Sequence, residues 1–165
     1  MHNYSCTTMI VDMEIDTVTA VHLAGLALND EVVRRLAAAG FADARVSHGY
    51  LIQHVVEGPR AVGEIAERME ITQQAVSKTA RELVELGYLE RTADPADARV
   101  RLLGLAPRGR DLVERTRRIR ADVEAELKAA LGAGPATQLR AGALAALDWA
   151  GGGDAVRGRR VRPPS

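Results

Sequence analysis

The run Thr72 Gln73 Gln74 Ala75 Val76 Ser77 Lys78 Thr79 Ala80 Arg81 Glu82 Leu83 Val84 Glu85 Leu86 Gly87 constrains this chain more than any other. It predicts one helix. The Thr72 hydroxyl can accept a bond from an unpaired N–H of the first turn, and Gly87 can end the helix in a left-handed conformation. At about 100° per residue, Val76, Ala80, Leu83 and Val84 fall on one side, and Gln74, Lys78, Arg81 and Glu85 fall opposite. The first stripe needs a core, and the second faces solvent or a partner. Near the start of the helix, Gln73, Gln74, Ser77 and Lys78 offer amide, hydroxyl and ammonium groups. Gln can bond adenine through two hydrogen bonds, and Lys can reach guanine or a phosphate. A solvated helix face carries the same residue types, so the neighbouring segments decide between the two readings.

Upstream, Val62, Ile65, Ala66 and Met69 form an apolar stripe at i, i+3, i+4 and i+7, which predicts a short helix. Glu70, Ile71 and Thr72 make a tight connection, with Ile71 expected in the angle between the two helices. The pair reads as a helix-turn-helix whose second helix enters a major groove. Downstream of Gly87 the period changes. Residues 88–92 read as a strand, 93–98 as a turn rich in Asp and Pro, and 99–105 as a return strand. This hairpin carries Arg99 at its tip and Arg101 behind it, and a guanidinium there can enter the narrow minor groove. Taken alone, a charged hairpin tip is simply solvated.

The rest of the chain reads as helices. Asp16 can cap a long one to about Ala39, with Gly40 as its stop. Val18, Leu26, Val33 and Leu36 mark its apolar side, and Val21, Leu23, Leu28 and Val32 widen that side beyond what one neighbour covers. Such a helix packs against two partners, either within the chain or with one from a second subunit. Asp43 can cap another helix to about Val56, before Glu57 Gly58 Pro59. Its His48 and His54 point about 240° apart and cannot form an i, i+4 metal pair, whereas Tyr50 and His54 share a face. Those two line a ligand cavity or serve as hydrogen-bonded core residues. Pro107 can open a long charged helix to about Leu131, where Arg108, Arg110, Arg115, Arg117, Arg118 and Arg120 interleave with acids around a thin apolar seam. A last helix from about Ala136 to Ala150 carries Leu139, Leu144, Leu147 and Trp149. From Gly151 onward, glycines, four arginines and Pro163 Pro164 predict a disordered basic tail.

Composition sets outer limits. The formal net charge is zero, so any contact with a polyanion has to come from a local basic surface. Cys6 is the single cysteine, which excludes an internal disulfide and a multi-cysteine zinc site. Its polar surroundings predict an exposed thiol without a redox role. No apolar run approaches the roughly 18 residues of a membrane span, which predicts a cytoplasmic protein with no membrane partner. Neither a nucleophile with base and orienting group, nor a phosphate loop, nor metal-ligand spacing recurs, so no enzyme, cofactor or metal is expected.

The specific run is Val76 Ser77 Lys78, then Leu83, Gly87 Tyr88 Leu89 Glu90 Arg91, then Asp94 Pro95 Ala96 Asp97 Ala98 Arg99. Across about residues 16 to 150 the chain resembles the MarR family of winged-helix transcriptional regulators. Glu64 to Met69 fit the first helix of the motif, and the Asp-Pro-x-Asp-x-Arg turn fits its wing. The resemblance implies a mainly α fold with a small β-hairpin wing: a winged helix-turn-helix joined to a helical dimerisation domain. It implies a leader at 1–15, a dimerisation region at 16–42 and 107–150, a DNA-binding domain at 43–106 and the tail at 151–165. It further implies a homodimer on a pseudo-palindromic double-stranded operator, repressing nearby genes until a small aromatic or phenolic effector binds. Gln73, Gln74, Ser77, Lys78 and Arg81 would then face the major groove or its phosphates, Arg99 the minor groove with Arg101 behind it, and Asp97 would brace the wing. His22, Tyr50 and His54 are the candidates for the effector pocket. Ala106 stands where the family has a capping Thr or Ser, and Cys6 lies about ten residues ahead of the cysteine of peroxide-sensing members. The alternative is a winged-helix module that serves dimerisation or protein contact without reading DNA, a reading favoured by the zero net charge.

Overall fold

The structure is a computed structural model that describes residues 15–97 and 99–158. Helix α1 spans Thr17–Leu36, α2 Val46–Ile52, α3 Val62–Met69, α4 Gln73–Glu85, α5 Pro107–Leu131, α6 Ala133–Trp149 and α7 Gly153–Arg157. Strands β1 (Arg60–Ala61), β2 (Leu89–Ala93) and β3 (Arg101–Leu105) form one antiparallel sheet in the order β1-β3-β2. The fold is mainly α with a small β wing, as expected.

Local chemistry explains the helix ends. Asp16 accepts the Thr19 N–H at 2.8 Å and caps α1, which then leaves through a wider turn, Ala37–Phe41, that needs Gly40 at φ 94°. Thr72 accepts the Ala75 N–H at 3.2 Å, a cap worth about 1 kcal/mol. Gly87 takes φ 75° beyond the other end of α4. Pro107 opens α5 behind Ala106, which makes no side-chain cap.

The core joins α4 to everything around it. Val76, Ala80 and Leu83 of α4 are buried against Ile65, Ala66 and Met69 of α3, with Leu51, Ile52, Val55, Leu89, Leu103 and Leu112 in the same cluster. Burying an aliphatic side chain of this size contributes about 1.5–3 kcal/mol, so this stripe alone outweighs the weak propensity of a Gln- and Thr-bearing helix. At the other end of the molecule the apolar surface is uncovered. Only Val32 and Leu36 of α1 are buried, whereas Val18 is 81% exposed, and Trp149 of α6 is 91% exposed. An ion network ties α1 to α5: Arg35 holds both carboxylate oxygens of Glu126, at 2.7 and 2.5 Å, and also Glu31 at 2.6 Å. Arg34 and Arg35 hold the Glu31 carboxyl down at about 2.

Several local expectations are corrected. Asp43 does not cap α2, which starts three residues later at Val46 because the Asp43 carboxylate is engaged elsewhere. That helix ends at Ile52, and residues 53–58 run as turns rather than as further helix to Val56. Ile71 is 36% exposed and does not fill the angle between α3 and α4; Glu70 makes the bend instead, in a left-handed conformation with φ 52°. Strand β1 has no counterpart in the sequence reading. Residues 153–157, expected in a disordered tail, form α7. Cys6 and the leader up to residue 14 lie outside the described residues, as do Ala98 and residues 159–165.

Candidate nucleic-acid interface

Helix α4 presents Gln73, Gln74, Lys78 and Arg81 on its exposed side, with Ser77 half-buried at the edge of the stripe. The Gln73 amide lies across Gly63 of α3, where a Cβ would sit 3.3 Å from its Nε2. A residue without a side chain at 63 therefore lets the start of α4 approach α3 closely. The buried stripe fixes which way α4 faces, so its polar half cannot turn inward.

The wing follows directly. Leu89↔Leu105 and Ala93↔Arg101 are cross-strand partners. Asp94 accepts the Ala96 N–H at 2.8 Å, and Asp97 accepts the Arg99 N–H at 2.9 Å. The Asp94 N–H donates to Val100 O at 3.0 Å, closing the turn. Both aspartates thus act on their own turn's backbone and leave the Arg99 side chain exposed, as is Arg101 on β3. Among the described residues, Lys78, Arg81, Arg99 and Arg101 enter no ion pair. Arg60, Arg68 and Arg108, by contrast, are tied to carboxylates. The cations on α4 and the wing are free for an external anion.

A knot of side chains around Tyr88 holds this unit against α5. Tyr88 is fully buried; its hydroxyl donates to Asp43 Oδ1 at 2.5 Å. Arg108 grips Asp43 with both terminal nitrogens, at 2.9 and 3.0 Å, donates to Leu86 O at 2.6 Å and lies 4.5 Å over the Tyr88 ring. The Tyr88 hydroxyl and then Arg108 hold the Asp43 carboxyl below its usual range. Burial, reinforced by Asp43, pushes the Tyr88 phenol up to about 12. Sequence reasoning missed this role of Asp43. A lone aspartate ahead of an apolar helix signals a cap, and its partners lie 45 and 65 residues away.

Between α1, α2 and α5 lies a cavity of about 400 Å³. Its walls are apolar, including Val32, Leu36, Ile52 and Leu112, while Arg45, Arg117 and Arg120 border it with no carboxylate among the lining residues. His22, Tyr50 and His54 do not line it; His48 does. Tyr50 lies about 200° around α2 from His48 and Ile52, which face the cavity, and α2 ends before His54. Tyr50 and His54 share a face only on a continuous helix, and beyond Ile52 the chain turns and takes His54 into the interior. His22 sits on the exposed half of α1. His48 is buried, its Nδ1 accepting the Arg45 N–H at 3.2 Å and its Nε2 3.5 Å from Glu82 Oε1. Burial holds its imidazole below the ordinary value, with Glu82 opposing the shift.

A two-helix motif with an adjoining wing, carried between long helices, defines a winged helix-turn-helix protein. Residues 42–100 match the sequence model of the MarR family. The fold is similar to that of RV1404 from Mycobacterium tuberculosis, at TM-score 0.70 and 20% identity over 92% of this chain and 98% of that one. It is also similar to YusO from Bacillus subtilis, at 0.63 and 22% over 88% and 99%. A third likeness is to a mutant MepR of S. aureus bound to an oligodeoxyribonucleotide, at 0.58 and 23% over 82% and 98%. No curated protein matches the chain. The chain thus shares the winged-helix fold of these proteins, and its similarity to the MarR-family model lies in residues 42–100. Among the described residues, no helix is long and apolar enough to cross a membrane.

Proposed function

We propose that the protein is a dimeric, non-enzymatic DNA-binding repressor. Residues 43–106 read an operator, residues 16–42 and 107–150 dimerise, and a small effector in the α1–α2–α5 cavity relieves repression. The observation that carries this reading is the set of unpaired polar and cationic side chains on α4, continued by Arg99 on a wing whose acids brace only its own backbone. In this reading Gln73, Gln74, Ser77, Lys78 and Arg81 meet the major groove or its phosphates, Arg99 meets the minor groove and Arg101 a neighbouring phosphate. A relative of the same fold is bound to an oligodeoxyribonucleotide, which supports the same use of the winged helix here.

The bare apolar faces of α1 and α6, with Val18, Leu26, Leu144 and Trp149 exposed, support the homodimer. The apolar walls and three arginines of the cavity favour a small, flat molecule carrying a carboxylate or an ionised phenol. The test is a gel-shift titration on DNA flanking the protein's own gene at two salt concentrations. Binding that weakens steeply with salt is expected. Binding that is absent at both, with an intact dimer, would favour the dimerisation-only module.

A further inference from the structure

The cavity and α4 share one side chain. Arg45 stands at the N-terminus of α2 and borders the cavity, and its Nη2 lies 2.6 Å from Glu82 Oε1 on α4. Glu82 is not among the cavity's lining residues. Beneath the pair, His48 also lines the cavity, accepts the Arg45 backbone N–H and turns its other nitrogen toward Glu82 at 3.5 Å. We propose that the Arg45–Glu82 pair is the tie through which an anion in the cavity acts on α4: the anion claims Arg45 and releases Glu82.

This rests on the effector reading above and adds the route. Arg117 and Arg120 offer the anion two further cations, whereas Glu82 pairs with Arg45 and His48. Two carboxylates sharing one guanidinium repel one another, and the one with fewer other partners gives way. Glu82 has Arg45 and the neutral, buried imidazole of His48. The ligand's carboxylate has three arginines around it and an apolar body held by the walls. Glu82 therefore yields, and α4 loses its charged tie to the start of α2. The pair is half-exposed, so the effect is a modest loosening rather than unfolding.

Hydrogen exchange of the 73–85 segment tests this on the full chain, without requiring DNA. The proteins are the wild type, Arg45→Ala, Glu82→Gln and the double variant; the probes are 2-naphthoate and its neutral isostere 2-naphthamide, with calorimetry reporting binding. In the wild type, naphthoate should raise exchange of the segment by about two- to fivefold, the size set by a half-exposed ion pair, and naphthamide should not. Glu82→Gln should exchange faster from the outset, still bind naphthoate and show no further rise. The double variant should match the single ones. If Glu82→Gln responds to naphthoate as the wild type does, or the two single effects add in the double variant, the tie is refuted while the cavity reading stands. If the wild type binds no naphthoate, the cavity reading fails and the proposal falls with it.

Discussion

Replacing Gly109 by alanine sets two opposed effects against each other. Gly109 lies inside α5, where alanine is favoured over glycine by about 0.8–1 kcal/mol. A Cβ at this position would stand 2.0 Å from Tyr88 O, 2.9 Å from Tyr88 C and 3.2 Å from Leu105 Cδ2. Two of these are backbone atoms at the start of the wing and cannot rotate away. Either α5 or the wing has to retreat by roughly 1 Å, at an overpacking cost of about 1–3 kcal/mol. The same shift stretches the 3.1 Å bond from the Ala106 N–H to Tyr88 O, about 1 kcal/mol more. Sterics outweigh propensity, and the net loss is about 1–3 kcal/mol, or roughly 2–12 °C in Tm for a chain of this size. Urea titration followed by helical circular dichroism, at matched protomer concentration, reads the change. An unchanged or raised urea midpoint would refute the close approach of α5 to the wing.

Tyr88→Phe removes the hydroxyl bond to Asp43 and leaves Arg108 in place, so about 1 kcal/mol should be lost at neutral pH by urea titration. Because the folded Asp43 carboxyl lies below its ordinary 3.8, its contribution is present above that value and fades as pH falls through the folded one; the variant should show a shallower acid decline. For His48, burial places the folded pKa below the ordinary 6.5, so the unfolded chain takes up the proton first. Stability should therefore fall as pH drops below 6.5 towards the folded value, and His48→Gln should flatten that slope in urea midpoints measured against pH. Leu144→Asp puts a charge on the exposed apolar face of α6 and should shift sedimentation from dimer towards monomer without loss of helix. Sedimentation unchanged from the wild type would remove α6 from the interface.

What could be read in the sequence was short-range. The Thr72 cap, the Gly87 stop and the Pro107 start are set by residues within one turn of the feature they control, and the structure places all three as expected. The braced wing is similarly local, since Asp94 and Asp97 bond amides two residues on. The features missed depend on distant partners. Strand β1 is two residues long and exists because Arg60 and Ala61 find Leu103 and Leu102 of β3. Asp43 is recruited by Tyr88 and Arg108, which outcompete its local role as a cap. His48 lines the cavity in place of Tyr50 and His54 because the face of α2 that meets α1 and α5 carries His48 and Ile52, Tyr50 lies about 200° away, and the chain turns beyond Ile52.

In the proposed complex, two copies of α4 and its wing grip DNA from one dimer. Hydroxyl-radical footprinting of the DNA flanking the gene, at low and at moderate salt, reads it most directly. Two protected half-sites about one helical turn apart are expected, with weaker protection outside them from the wings. Lys78→Ala should weaken both half-sites equally, and Arg99→Ala should erase the outer protection, each by about 1–3 kcal/mol if the contact reads a base. Uniform protection without half-sites, or a pattern that neither substitution changes, would contradict it.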